Sequence, residues 1–378
     1  MIKRVLFVYS KSSRFRTFGD NIRIMSILHN LRKCDSLEII EAPIPTFSLE
    51  DPKSSITYLH NIFPSNPLNI RSYFYTYKSF RLWLRLNASL NYLRKIIMQM
   101  KPYVVLAETS LLGWICTKIC NELNIPCIID CHSIYFEEVK ISGYYCWKLV
   151  KTLEVEAFKK CDKLIVVSDT IRRYICEKFE IDPEKIMVIP NGSDPQKITA
   201  QYDLPIKVIY SGIFTHWENV DKFLDLAKQS KHELFRFYLV GDGPLRKYLL
   251  CRIKRESIPV SYLGYVPRSQ LFNILARMQI GMSTSIRMGA MPIKVFDYMA
   301  LGLPVVVPKI DDLGEIIEKN DCGIAVICDD VNKYMEALND LSDRRIWLRK
   351  SQNAVKVIRE KFNWTKLTKP LIDLLLTI

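Results

Sequence analysis

Short apolar blocks along the chain alternate with longer stretches whose apolar residues recur every three or four positions. Val5–Tyr9 is the first block, sized for one buried strand, and Ile24, Ile27, Leu28 and Leu31 then give Asp20–Leu31 a helical stripe. Ser36–Ala42, Tyr103–Ala107, Cys127–Asp130, Lys163–Val167 and Met187–Ile189 are the following strand candidates. Between them lie the helical patterns of Leu111–Leu123, a helix ending over Glu154–Lys160, and Ser168–Phe179, with Ser168 placed to cap its N-terminus. Trp83, Leu86, Leu90, Leu93, Ile97 and Met100 form a further three-and-four stripe. Residues 43–70 carry Pro43, Pro45, Pro52, Pro64 and Pro67 and read as a long loop.

The alternation restarts near Lys207. Strands are expected at Val208–Tyr210, Phe235–Val240, Val260–Leu263, Ile280–Ser283 and Val305–Val307. Helices are expected at Val220–Gln229, Pro244–Lys254, Arg268–Ala276, Ile293–Leu301 and Leu313–Lys319. From Val331 to Ile378 the pattern is helical, with a break near Asn363-Trp364. Strand–helix units of this length build parallel sheets with helices on both faces. Two such runs meeting near residue 200 predict an α/β chain of two doubly wound, Rossmann-like domains, 1–198 and 199–345, facing a central cleft. Parallel sheets of this kind bind ligands beyond the carboxyl ends of their strands, so the cleft is where a site belongs.

Composition narrows the class. The 378 residues suit two domains, and 49% hydrophobic with 25% charged residues excludes wholesale disorder. No apolar run reaches the roughly 18 residues of a membrane span. The N-terminal block is too short for a signal-peptide core, so a cytoplasmic protein is expected. The 11 cysteines include no Cys-x-x-Cys pair. They read as small buried hydrophobes rather than as a disulfide framework or a metal site, and no metal or resident cofactor is expected.

Charge adds a partner. With 54 basic and 40 acidic residues the net charge is +14, which favours anionic ligands or surfaces. Between Asp51 and Glu108 there is no acidic residue, against eight basic ones (Lys53, Arg71, Lys78, Arg81, Arg85, Arg94, Lys95 and Lys101). Residues 71–101 interleave these with Tyr73, Phe74, Tyr75, Tyr77, Phe80, Trp83 and Tyr92. Such a segment suits the anionic inner face of a membrane, which would make the protein peripheral there. It equally suits a core-facing stripe with solvated arginines. No nucleic-acid-binding motif is present, and a nucleic-acid partner is not expected.

Four segments carry candidate chemistry. Val188-Ile189-Pro190-Asn191-Gly192-Ser193-Asp194 ends a strand at the domain boundary. Tyr210-Ser211-Gly212-Ile213-Phe214-Thr215-His216-Trp217 ends a strand in a glycine loop ahead of a helix, where backbone N–H groups can approach a phosphate. Leu239-Val240-Gly241-Asp242-Gly243-Pro244 lacks the third glycine of a dinucleotide fingerprint. Gly241 and Gly243 are therefore read as a tight turn near a bound nucleotide, not as an NAD or FAD site. In the fourth segment, Met291–Val306, Pro292 opens a helix and Gly302 closes it. Lys294 and Asp297 lie one turn apart on one face: either a surface salt bridge of little value or, where that face looks into the cleft, a lysine for a diphosphate and a carboxylate for a ribose.

These segments, in this order, resemble glycosyltransferase family 4, whose members have the GT-B fold. The stretch Pro292-x-Lys294-x-Phe296-Asp297-Tyr298-Met299-Ala300-x-Gly302-x-Pro304-Val305-Val306 is similar to that family's most specific signature. Glu154–Val167 with Ser168 is similar to a second family stretch. The resemblance implies transfer of a sugar from a nucleotide diphosphate donor of the UDP or GDP type to a glycan or lipid-linked acceptor, with retention of configuration and no bound metal. It implies that Asp297 holds the donor ribose, that Lys294 and the Gly212 loop face the diphosphate, and that the backbone near Gly264-Tyr265-Val266 meets the base. Ile129-Asp130-Cys131-His132 with Glu137-Glu138 resembles a segment in which a histidine reaches the donor sugar, so His132 joins Lys294 and Asp297 as a catalytic candidate. The final helices, 346–378, are expected to cross back onto the N-terminal domain.

The chain also departs from the family pattern. Gly289 stands where many members carry a first glutamate, and Asp297 replaces the second. Ile213 and Glu218 stand where many members carry Arg and Lys, which removes two cations from a site that must stabilise a leaving diphosphate. Lys294, Arg287 and His216 are the candidates to compensate. The alternative is a catalytically degenerate GT-B-like protein that binds a nucleotide sugar or a partner.

Overall fold

A computed structural model of the protein describes residues 2–11, 19–45, 86, 88–143, 146–230, 233–327 and 330–378. The N-terminal domain holds β1 (Lys3–Lys11), α1 (Gly19–Leu31), β2 (Leu37–Pro45), α2 (88–100), β3 (Val104–Glu108), α3 (Ser110–Leu123) and β4 (Cys127–Cys131). It continues through α4 (Tyr135–Ile141), α5 (Trp147–Lys160), β5 (Lys163–Val166), α6 (Asp169–Phe179) and β6 (Ile186–Val188). Its six strands are all parallel, in the order β2-β1-β3-β4-β5-β6. The sheet therefore reverses its direction of growth between β1 and β3, the crevice where such folds place a ligand.

The second domain repeats the plan with β7 (Ile206–Ile213), α7 (Val220–Gln229), β8 (Phe235–Asp242), α8 (Arg246–Arg255), β9 (Val260–Gly264), α9 (Arg268–Leu275) and β10 (Ile280–Met282). It ends with α10 (Ile293–Ala300), β11 (Val305–Pro308), α11 (Asp311–Lys319), β12 (Gly323–Val326), α12 (Val331–Leu341) and α13 (Arg344–Glu360). Its six parallel strands run β12-β11-β10-β7-β8-β9, with the reversal between β7 and β10. The central strands β3, β4 and β11 are buried along their whole length because helices cover both faces, which is why they read as continuous apolar runs.

Most expected elements form, with shifted ends. Ser168 caps α6 as read, its hydroxyl accepting from the Ile171 N–H at 3.3 Å. Among the described residues, the α-helix α4 and the strand β12 were not foreseen. Pro43 and Pro45, expected in a loop, belong instead to β2, paired in register with Tyr9 and Lys11. β2 is the edge strand, and two residues apart both prolines turn the same way, so their missing N–H groups fall on the unpaired side. Residues 46–85 lie outside the described ones, and with them most of the aromatic basic stretch. In α2, Leu93 and Ile97 are fully buried while Tyr92 and Met98 face solvent, so this part of the stripe faces the core.

The C-terminal crossing also begins later than residue 346. Helix α13 stays on the second domain, where Trp347 Nε1 donates to the Gln279 carbonyl at 2.7 Å and Lys350 Nζ to the Gly323 carbonyl at 2.9 Å. The last helix, α14 (Trp364–Thr377), packs on α1 of the first domain. There Thr365 meets Asn30 at 3.2 Å and Lys3 Nζ donates to the Leu376 carbonyl at 2.7 Å.

Candidate active site

The two sheets point their carboxyl ends at one cavity of about 300 Å³, lined from both domains. On the N-terminal side β1, β3 and β4 bring three groups together. Glu108, the last residue of β3, is buried. Its Oε2 accepts the Ser10 N–H at 3.2 Å, and its Oε1 lies 3.0 Å from His132 Nε2, just beyond β4. A carboxylate can only accept, so Nε2 carries the proton and the ring is fixed in its plane. His132 lines the cavity.

Beneath it runs a buried polar chain. Arg23 of α1, 1% exposed, grips Asp130 with Nε and Nη2 at 2.9 and 2.8 Å and reaches Asn191 Oδ1 at 3.0 Å. Asn191 Nδ2 in turn donates to the Met291 carbonyl at 2.7 Å, ahead of α10. One chain of hydrogen bonds thus ties strand β4 to the helix that carries Lys294 and Asp297.

On the opposite wall β7 ends at Ser211-Gly212-Ile213, with Lys294 packed beneath the loop. Gly241 and Gly243 do not line the cavity; they support the loop from behind. A Cβ on Gly241 would lie 1.9 Å from the Gly212 carbonyl oxygen, and one on Gly243 2.5 Å from the Phe214 nitrogen. Only glycine lets the ends of β7 and β8 run this close.

Lys294 is not a lone cation. Its Nζ is hydrogen-bonded to Glu218 and, at 2.8 Å, to the Tyr210 hydroxyl, which itself donates to Glu218 at 2.8 Å. Arg287 lies 4.0 Å from the other Glu218 oxygen and 2.7 Å from Glu138 of α4. Burial pushes the Glu218 carboxyl up, but Lys294 and Arg287 beside it hold it below its ordinary value. Burial lowers the Lys294 ammonium, and Glu218 offsets part of that.

Asp297, 2% exposed, is likewise occupied. Arg268 grips it with both Nη atoms, Nη2 at 2.7 Å from Oδ1, and Ser193 donates to Oδ1 at 2.7 Å. At the position expected for a first glutamate, Gly289 has φ +62°, and a Cβ there would meet Ser168 Oγ at 2.7 Å and Ile171 Cγ1 at 2.6 Å of the facing domain. This close inter-domain contact has no room for a glutamate side chain.

Of the residues expected at the site, His132, Gly212, Arg287, Pro292, Lys294 and Asp297 line the cavity together. His216 starts a one-turn helix and is exposed, Tyr265 is 45% exposed and Val266 is half-buried, and none of the three is on the cavity wall. The residues not foreseen are Arg23, Glu108 and Arg268. Arg23 had a signal: it lies four residues before Ile27, inside the apolar stripe of α1. Arg268 had a weaker one, a cation in the first turn of a helix, where the macrodipole disfavours it.

This architecture agrees with what the sequence matches. Residues 50–197 match the family described as Glycosyltransferase Family 4, and residues 205–344 match that described as Glycosyl transferases group 1. The chain belongs to the family 4 type of GT-B glycosyltransferases. It is 27% identical over 289 residues to an Escherichia coli UDP-Gal:alpha-D-GlcNAc-diphosphoundecaprenol alpha-1,3-galactosyltransferase, covering 71% of this chain and 73% of that one. In fold it is similar to sucrose-phosphate synthase of Thermosynechococcus elongatus, at TM-score 0.77 and 14% identity over 98% of each chain. It is similar also to Anabaena HepE in complex with UDP-glucose, at TM-score 0.74 and 14% identity over 99% of this chain and 100% of that one. This glycosyltransferase chain thus places its cleft where GT-B folds converge their two sheets. Among the described residues no helix is long and apolar enough to cross a membrane.

Proposed function

We propose that the protein is a hexosyltransferase that moves a sugar from a nucleoside diphosphate donor of the UDP or GDP type to a glycan or lipid-linked acceptor, with retention of configuration. The observation that carries this reading is the pairing of His132 on one wall with the Gly212 loop and Lys294 on the other, across one cavity at the carboxyl ends of both sheets. Glycine-loop backbone and a lysine suit a diphosphate, and a histidine held by Glu108 suits a sugar hydroxyl.

In this reading the bond from the anomeric carbon to the diphosphate oxygen breaks, with Lys294 and Arg287 meeting the charge that develops on the leaving group. The acceptor oxygen bonds to the anomeric carbon from the same face, and its proton passes to the leaving phosphate oxygen. The cations belong to the chain, so the reading assigns no step to a metal. The E. coli relative's lipid diphosphate acceptor supports a lipid-linked substrate, and residues 71–101 would then bring the enzyme to an anionic membrane.

A panel of UDP- and GDP-sugars with glycan and lipid-linked acceptors, in the presence of EDTA, tests the proposal. Transfer from one donor, with the anomeric configuration kept in the product by NMR, is expected. Inverted product contradicts the retaining reading, and loss of transfer in EDTA contradicts metal independence. A second reading, a non-catalytic nucleotide-sugar binder, is favoured by the carboxylate on Lys294 and the arginine on Asp297. Nucleotide binding with no transfer from any donor would support it.

A further inference from the structure

We propose that Glu218 is a built-in counter-ion that competes with a donor's diphosphate for Lys294 and Arg287, and so sets how tightly the cleft holds nucleoside diphosphates. The inference rests on the donor-site reading above and adds a specificity-determining residue to it.

Glu218 ends a one-turn helix, His216–Glu218, directly after the Gly212 loop, and its side chain is 4% exposed. Four carboxylates and cations form an alternating row, Glu138–Arg287–Glu218–Lys294, from α4 of the first domain to α10 of the second. Among the described residues, the other two arginines on the cavity wall are also engaged, Arg23 with Asp130 and Arg268 with Asp297. An incoming diphosphate therefore meets cations that already have carboxylate partners. It must take Lys294 from Glu218, and Arg287 from Glu138 and Glu218, while the Glu218 carboxylate stays beside it as a like charge in a partly desolvated cleft. Gln at 218 keeps the size and an acceptor for Tyr210 and Lys294 but removes the competing charge.

The test is calorimetric titration of pyrophosphate, UDP, GDP and ADP into wild type, Glu218→Gln and Glu138→Gln, each first shown to be folded by thermal melting. Glu218→Gln should bind pyrophosphate and the nucleotide that wild type prefers about tenfold more tightly, with a steeper loss of affinity as salt rises. Glu138→Gln, which relieves only the outer end of the row, should tighten binding by a smaller factor. Unchanged or weaker binding by Glu218→Gln overturns the proposal while leaving the donor-site reading standing. If that variant does not fold, unchanged binding by Glu138→Gln overturns it. Absence of binding by all three proteins overturns the donor-site reading itself, and the proposal with it.

Discussion

Arg268 grips Asp297 with both Nη atoms, and so engages the carboxylate that the sequence assigned to a donor ribose. Asp297 is nearly sealed from solvent, so this pairing is what makes its charge tolerable. Arg268→Ala should lower unfolding stability by about 3 kcal/mol, because it leaves a buried carboxylate with Ser193 as its remaining partner. Arg268→Lys should recover only part of that, since an ammonium cannot reproduce the two-pronged grip. Urea unfolding midpoints measure both.

Lys294→Ala and His132→Ala should each lower turnover by roughly 100-fold, the scale of losing one group that meets developing charge or orients the sugar. Their effects differ in kind. Lys294→Ala should also weaken nucleotide binding, whereas His132→Ala should leave free UDP or GDP binding close to wild type. Steady-state kinetics with nucleotide titrations separate the two.

Arg23→Ala should be among the most destabilising single changes in the N-terminal domain. It strands Asp130, 1% exposed, and removes the link through Asn191 to the Met291 carbonyl. A loss of about 3–5 kcal/mol is expected, read from denaturant unfolding.

Glu154 supplies a pH dependence. It is fully buried and accepts the N–H groups of Tyr135 and Phe136 at 3.0 Å each, fixing the start of α4. Burial pushes its carboxyl up from 4.5 to about 7. Raised in the folded state, it contributes stability that is full below pH 4.5 and lost as pH rises through 7. Wild type should therefore lose up to about 3 kcal/mol over that window relative to Glu154→Gln, which does not titrate there. Unfolding free energies of the two proteins between pH 4.5 and 8 give the comparison.

Much of the fold was legible because its central strands are buried on both faces and its helices carry one apolar stripe. The failures have local causes. β12, Gly323-Ile324-Ala325-Val326, is four residues long and opens on glycine, too little pattern to distinguish from a turn. α4 has seven residues, of which Phe136 and Val139 are buried, so it shows no repeating stripe. The prolines of β2 announce a loop unless the strand is known to lie at an edge. At the site, Lys294, Asp297 and His132 were found because they sit in recognisable segments. Their partners were harder. Glu108 comes from another strand, Arg268 from a helix start 29 residues before Asp297, and only the folded chain shows that Glu218 closes on Lys294. Spacing along a chain reveals which residues share a face, not which opposite charge a distant element brings to it.

The most direct test is calorimetric titration of UDP, GDP and ADP into wild type and Lys294→Ala. Selective binding of one nucleotide, weakened about tenfold or more in the variant, is expected if the cleft is the donor site. Binding of none of the three, or equal binding by both proteins, would contradict it.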